Sequence, residues 1–289
     1  MDTLTHGLFG LTIYGAQNKE KMTQNEKRAL LFTALVASEI PDIDVVASFT
    51  ETGRIMEQMW HRGLTHSIFL VPVWALFIYG MSRWFFRAKA WRIFWTALLS
   101  VLIHITSDAF NSWGTGLLEP FSSVRFTAGT IPIIDFVIWA LFLAGLIWSK
   151  FFRHQPAHRI FKIVALCMFL HFFVQSAQGL WLQHQLKPAY DRVELSASFV
   201  PWHFDLIGKK DNKVEISSVS LWSEPKPKKT LVSSEESDLT PLFAKNPKAK
   251  VLYEWSPFVV IVDNSRQLGI YDPRFYRNGE SFLAEYIHK

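Results

Sequence analysis

His104-Ile105-Thr106-Ser107-Asp108 closes an apolar run that begins near residue 93, and Pro41-Asp42-Ile43-Asp44 closes another that begins near residue 29. Two Thr-His pairs, Thr5-His6 and Thr65-His66, open two further apolar segments. Ionisable groups in or beside membrane-like helices are costly to place and mark function by default. Histidine and aspartate together are also ligands for divalent metals. The pattern predicts a metal site at one mouth of a helical bundle in a membrane.

Working outward, apolar stretches cover residues 3–17, 29–44, 66–83, 93–110, 131–149 and 161–181. The last four have the length of a membrane helix, for which about 20 apolar residues suffice. The first two are shorter and contain Thr, Gly, Ser and Glu, which suits half-embedded helices or helices shielded by neighbours. The expected fold is therefore mostly α: a polytopic transmembrane bundle of four to six membrane helices over residues 1–185. The intervening loops carry Lys19, Lys21, Lys27 and Arg28, then Arg83, Arg87, Lys89 and Arg92, then Lys150, Arg153, Arg159 and Lys162. Loops 45–65 and 111–130 contribute only Arg54, Arg62 and Arg125. Basic short loops stay in the cytoplasm, so both termini are expected outside a multi-pass cell-membrane protein. On that topology His6, Asp42, Asp44, His66, His104, Asp108 and Asp135 all fall toward the outer face.

Residues 186–289 differ in kind. Val214-Glu215-Ile216-Ser217-Ser218-Val219-Ser220-Leu221 alternates, and Pro257-Phe258-Val259-Val260-Ile261-Val262 is continuously apolar. Turn signals at Lys210-Asp211-Asn212-Lys213 and Asp263-Asn264-Ser265 punctuate them, which argues for antiparallel strands. Pro225-Lys226-Pro227-Lys228-Lys229 and Ser233–Ser237 read as loops. This part is expected to be an extracytoplasmic β-rich domain. The net charge of +5 lies between apolar segments without forming a patch, so topology explains it and nucleic acid does not. The single cysteine, Cys167, allows neither an internal disulfide nor a thiolate zinc site. The N-terminus lacks the pattern of a cleaved secretory signal.

Each candidate also has a plainer reading. His104 and Asp108, four apart, share one helix face, where they can hold a metal or simply hydrogen-bond inside the bundle. Asp42 and Asp44 follow the helix-breaking Pro41 and can equally cap a turn. His6 and His66 sit in first turns, where a lone histidine is commonplace. The adjacent threonines suit supporting hydrogen bonds. Arg62 fits an anionic group or lipid phosphates. Asn111, Trp113 and Thr115 line the entrance or are structural, as a Trp that anchors at a membrane interface is.

Taken in order and spacing, Met1-Asp2-Thr3-Leu4-Thr5-His6-Gly7, Pro41-Asp42-Ile43-Asp44, His61-Arg62-Gly63-Leu64-Thr65-His66-Ser67 and His104-x-x-x-Asp108 resemble the membrane-bound metal-dependent hydrolases of the DUF457-like family. The resemblance covers roughly residues 1–185. That family is distantly similar to the zinc-dependent phospholipase C and P1 nuclease group. The resemblance implies one ion on His6 and Asp108, with the Met1 or Asp2 end, and another on Asp42 or Asp44, His66, His104 and Asp108. Asp108 would bridge them. The His/Glu cluster that completes a third zinc in the soluble enzymes is not evident here.

The expected activity is that of an integral-membrane metal-dependent hydrolase acting on a phosphoester or lipid-derived envelope substrate. Asp108 and Arg62 would serve catalysis, and membrane lipids would be the surroundings. A His/carboxylate set without cysteine suits Zn²⁺ or Mn²⁺ better than Mg²⁺, zinc first. The rival is a non-catalytic membrane protein with a structural metal and a partner-binding β domain. A transporter would place its polar groups at mid-membrane rather than at one end.

Overall fold

The computed structural model describes residues 1–151 and 155–289; Arg153, counted among the basic loop residues above, lies outside them. The chain divides into two units. The first comprises residues 1–43, 62–127 and 131–177, the second residues 44–61, 128–130 and 178–289.

The first unit is helical. Helix α1 (Thr3–Ala16) starts at Asp2, whose side chain accepts from the Thr5 N–H. Helix α2 (Gln24–Glu39) starts with a capping box in which Thr23 and Glu26 satisfy each other's orphan backbone donors. Ile40-Pro41 ends α2 and turns the chain into a 3₁₀ stretch, Ile40–Phe49, since proline has no N–H to continue the ladder. Two short helices of the second unit follow, α3 (Glu51–Ile55) and α4 (Glu57–Trp60). Back in the first unit come α5 (Val71–Phe86), α6 (Arg92–Ala109) and α7 (Phe136–Phe151). Helix α8 (Ala157–Leu186) begins in the first unit and ends in the second.

Small residues let these helices approach closely. A Cβ on Gly10 would lie 2.5 Å from the Ala34 carbonyl oxygen, so α1 and α2 nearly touch backbone to backbone. Ala37, Val71, Ala75, Ile78, Ala97, Val101 and Ile105 close a core between α2, α5 and α6. Leu8, Ile138, Phe142, Phe161, Val164 and Met168 close another between α1, α7 and α8. Thr33 and Ser82 share a buried hydrogen bond of 2.6 Å between α2 and α5.

The expected four to six membrane helices are corrected by these lengths. Among the described residues only two helical stretches, Ile68–Phe86 and Ala157–Ala189, are long and apolar enough to cross a membrane; Phe136–Phe151 is apolar but shorter. At 1.5 Å rise per residue, the 14 residues of α1 and 16 of α2 fall short of a hydrocarbon core about 30 Å thick. Helix α2 also carries Glu26, Lys27, Arg28 and Glu39, and α6 begins at Arg92 and ends in His104, Ser107 and Asp108.

The second unit is β-rich. Strands β1 (Arg192–Ala197), β2 (Phe204–Lys210), β3 (Lys213–Ser220) and β4 (Ser223–Val232) form an antiparallel meander in that order. Helices α9 (Thr240–Lys245) and α10 (Pro247–Trp255) lead to β5 (Val260–Asp263) and β6 (Gln267–Tyr271). The hairpin β7 (Tyr276–Arg277) and β8 (Glu280–Ser281) precedes β9 (Ala284–His288), which completes a β5-β6-β9 sheet. Ile207, Val214, Ile216, Leu231, Phe258, Val260 and Tyr271 form the core shared by the two sheets. The Pro225–Lys229 segment, read as a loop, is strand. β4 is the edge of its sheet, and the register shifts where Ser217 faces Pro227; edges and bulges are where a ladder tolerates proline.

Candidate metal centre

Four side chains of the first unit converge. Asp42 comes from the 3₁₀ stretch after α2, His66 from a second 3₁₀ turn (Leu64–His66), and His104 and Asp108 from successive turns of α6. Each offers one donor atom, and the four atoms lie within 4.8 Å of one another. His66 Nε2 is 3.2 Å from Asp42 Oδ1, 3.1 Å from His104 Nε2 and 3.4 Å from Asp108 Oδ2. His104 Nε2 is 3.5 Å from both Asp42 Oδ1 and Asp108 Oδ2. With bonds of 2.0–2.1 Å, the edge of a tetrahedral coordination shell is about 3.3–3.4 Å. These five separations bracket that value.

The protonation pattern suits ligation. His104 Nδ1 lies 2.6 Å from the Ser38 carbonyl, which accepts a proton there and leaves the Nε2 lone pair facing the cluster. Such carbonyl-tethered imidazoles are characteristic behind metal ligands. His66 Nδ1 is 3.1 Å from Thr65 Oγ1, so Thr65 supports its own neighbour. Burial, more than the nearby Asp42 offsets, lowers the pKa of His104 and favours the neutral ring. Burial also disfavours charge on Asp42, but the two imidazoles beside it outweigh that and hold its carboxyl well below the usual range. Asp42 Oδ1 and Asp108 Oδ2 are buried with no hydrogen bond. Asp108 Oδ2 is ion-paired with Arg62 Nε, Asp42 Oδ1 faces the two imidazoles, and a cation between the carboxylates and the imidazoles would satisfy both oxygens.

Asp108 faces two ways. Oδ2 turns to His66, His104 and, at 3.1 Å, Arg62 Nε. Oδ1 meets the Met1 amino group and lies 3.3 Å from His6 Nε2. His6 is fully buried, stacks on His104 with centroids 3.7 Å apart, and has neither ring nitrogen hydrogen-bonded. Burial first, then the charged amino group, depresses its pKa well below the usual value. Arg62 is buried at a left-handed φ of 58°, a conformation costing a non-glycine residue about 1–2 kcal/mol. Arg62 Nη2 also donates to the Met1 carbonyl at 3.3 Å.

The other expected residues sit differently. Asp44 Oδ1 lies 3.1 Å from His61 Nδ1, both in the second unit. Asn111 Oδ1 accepts from the Trp113 N–H at 2.7 Å, and Thr115 bridges backbone to backbone with Phe126; both hold the loop after α6. Asp135 caps α7 through the Val137 and Ile138 N–H groups and pairs with His171 Nε2 at 2.9 Å. His171, inside a long apolar run, gave no motif signal. Glu39 beside the cluster carried none either, although burial, then Asp42 and Asp2, push its carboxyl up to about 8.

A helical unit with a buried His/Asp centre, a β-rich unit and two membrane-length helices define a membrane protein with a candidate metal site. The chain belongs to the YdjM inner membrane protein family, whose profile matches residues 1–182. It is 31% identical over 153 residues to the uncharacterized protein YfhP of Bacillus subtilis (strain 168), covering 51% of this chain and 46% of that one. It is 36% identical over 104 residues to the inner membrane protein YbcI of Escherichia coli (strain K12), covering 34% of this chain and 58% of that one. The chain thus spans about half the length of the curated relatives it matches. No solved structure matches it.

Proposed function

We propose that this chain is a membrane-bound metal-dependent hydrolase, with Asp42, His66, His104 and Asp108 as ligands of a divalent ion and a phosphoester or lipid-derived envelope compound as substrate. The observation that carries the reading is four donor atoms, from buried His66, His104 and Asp108 and half-buried Asp42, all within 4.8 Å of one another, with five of their separations at 3.1–3.5 Å. Zinc fits the two imidazoles and two carboxylates best, with manganese second. When bound, such an ion acts as a Lewis acid and lowers the pKa of coordinated water toward ~7.

The chain's own residues prepare that chemistry. The Ser38 carbonyl fixes the His104 tautomer, Thr65 supports His66, and Arg62 with the Met1 amino group holds the Asp108 carboxylate in place. His6, neutral beside Asp108 Oδ1, is the nearest reserve of ligation. An open groove lined by Leu35, Val36, Ile40 and Ile43 runs to Asp42 and Glu39; its apolar wall supports an acyl-bearing substrate. The Lys/Arg-rich segments at the Arg87 end of Ile68–Phe86 and the Arg159 end of Ala157–Ala189 support a cytoplasmic location for those two helix ends and an extracytoplasmic one for the β-rich part.

One observation favours a second reading. Four protein donors would fill the shell of a four-coordinate ion, and such a closed ion is structural, whereas catalytic sites keep a position open. Metal analysis of the purified protein, followed by phosphodiester and phospholipid turnover with and without chelator, separates the two. Turnover lost on chelation and restored by zinc supports the hydrolase. Stoichiometric metal with no turnover of either substrate class leaves the structural reading, and absence of bound metal under zinc-replete purification overturns both.

A further inference from the structure

The four-stranded sheet carries an uncovered apolar patch at one end. Phe199, Val200 and Trp202, between β1 and β2, are exposed, as are Leu221 and Trp222 between β3 and β4. Trp202 and Trp222 pack edge to face with ring centroids 5.7 Å apart. Trp202 holds a left-handed φ of 62°, which bulky side chains rarely adopt. Such outliers persist where the surroundings impose them, and they cluster at functional positions.

Cations border the patch. The Arg277 guanidinium lies over the Phe199 ring, 5.5 Å from its centroid. Lys226 and Lys228 follow the Leu221-Trp222 turn along edge strand β4, and Lys228, Lys229 and Arg277 line one open cavity. Three carboxylates are close in sequence or space, against Lys226, Lys228, Lys229 and Arg277: Asp205, which pairs with Lys228, Glu224, and Glu280, which lies across the hairpin from Arg277. The local balance is positive.

Leu182 of α8 packs with Leu195, Ala197, Phe204, Leu206 and Val219, and a Cβ on Gly179 would come within 3.0 Å of the Phe204 ring. Strand β1 leaves from Arg192, yet its far end meets residues 179–182. It therefore doubles back along the end of α8. That helix belongs to one of the two membrane-length stretches, Ala157–Ala189, and Trp181 on its last turns is 52% exposed.

We propose that this patch is a bilayer-docking surface: Phe199, Trp202, Leu221 and Trp222 enter the headgroup layer, and Lys226, Lys228 and Arg277 face anionic lipid phosphates. Tryptophan collects at membrane–water boundaries because its ring is amphipathic, and basic side chains are drawn to anionic leaflets. A protein partner is the competing occupant. The basic border around exposed tryptophans favours lipid.

The test uses the full chain, reconstituted with Cys167→Ser and a single reporter cysteine at Trp222→Cys or, as a second site, Leu221→Cys. Lys250→Cys, exposed on α10, is the comparison position. Each carries an environment-sensitive fluorophore in vesicles of phosphatidylcholine alone or mixed with phosphatidylglycerol. At 221 and 222, headgroup-level nitroxide lipids should quench strongly and aqueous iodide weakly, with the reverse at 250. Lys226→Gln or Arg277→Gln should each lower the docked-to-undocked ratio on phosphatidylglycerol vesicles about fivefold, given the contribution of one basic residue near an anionic surface. Iodide quenching at 222 equal to that at 250 overturns the proposal, as does lipid quenching indifferent to phosphatidylglycerol and to both charge variants.

Discussion

Asp108→Asn tests the centre most directly. Asp108 is fully buried and lies against Arg62 at 3.1 Å, the Met1 amino group, and three imidazoles within 3.5 Å. An amide keeps the shape and removes the charge, leaving the Arg62 guanidinium buried without its counter-ion. Breaking one side of a buried pair costs about 3–5 kcal/mol. Metal adds a separate quantity: an ion at a thousand times its dissociation constant stabilises the folded state by about 4 kcal/mol. The gap between wild type and variant should therefore be about 3–5 kcal/mol under chelation and about 7–9 kcal/mol with saturating zinc. At about 2–4 °C per kcal/mol for a unit of this size, zinc should raise the wild-type melting midpoint by about 8–16 °C and leave Asp108→Asn nearly unmoved. The assay is thermal unfolding of detergent-purified protein followed by tryptophan fluorescence, with chelator and then with zinc. Asp135→Asn is the control: it also removes a buried carboxylate, here one that caps α7 and pairs with His171, so it should lower the midpoint yet keep the full zinc shift. If Asp108→Asn gains as much from zinc as wild type, Asp108 is not a ligand and the proposed site is wrong.

Other expectations follow from particular contacts. Burial, against the pull of Arg274 and with the push of Asp272, raises Glu194 to about 7 from 4.5. The folded state therefore holds its proton more tightly than the unfolded one, and stability declines as pH rises from about 4.5 to 7, by up to about 3 kcal/mol; Glu194→Gln should flatten that decline in denaturant titrations across the window. Gly129 has φ 62°, and a Cβ there would lie 1.9 Å from the Leu195 carbonyl oxygen, so Gly129→Ala should destabilise the β-rich unit by on the order of 3 kcal/mol, and an unchanged unfolding midpoint would contradict that backbone contact. Reporter fusions after residue 189 should read extracytoplasmic and fusions at residues 87–92 cytoplasmic; the opposite readout would reverse the orientation.

Sequence alone determined what depends on local spacing. Positions 104 and 108 share a helix face whatever surrounds them, and an alternating run such as 214–221 has one arrangement that buries its apolar half. The helix starts at Asp2 and Thr23 and the break at Pro41 are likewise set by side chains within a few residues. What sequence could not supply were contacts between distant segments. The Ser38 carbonyl that orients His104 is a backbone atom 66 positions away, and it has no residue-type signature. That Asp42 meets His66 and His104 depended on the path of the backbone after Pro41. The number of membrane-length helices depended on where caps and polar turns stop each helix, which a count of apolar residues blurs across α1, α2 and α6. Strand β4 looked like a proline-rich loop because its prolines are tolerable only at a sheet edge, and which strand lies at an edge is decided by the assembled sheet. The metal centre joins both kinds of information: its residue types were legible in the chain, while the 3.1–3.5 Å spacing that suits them to one ion arises only when three separate segments pack together, because no local rule fixes distances between them.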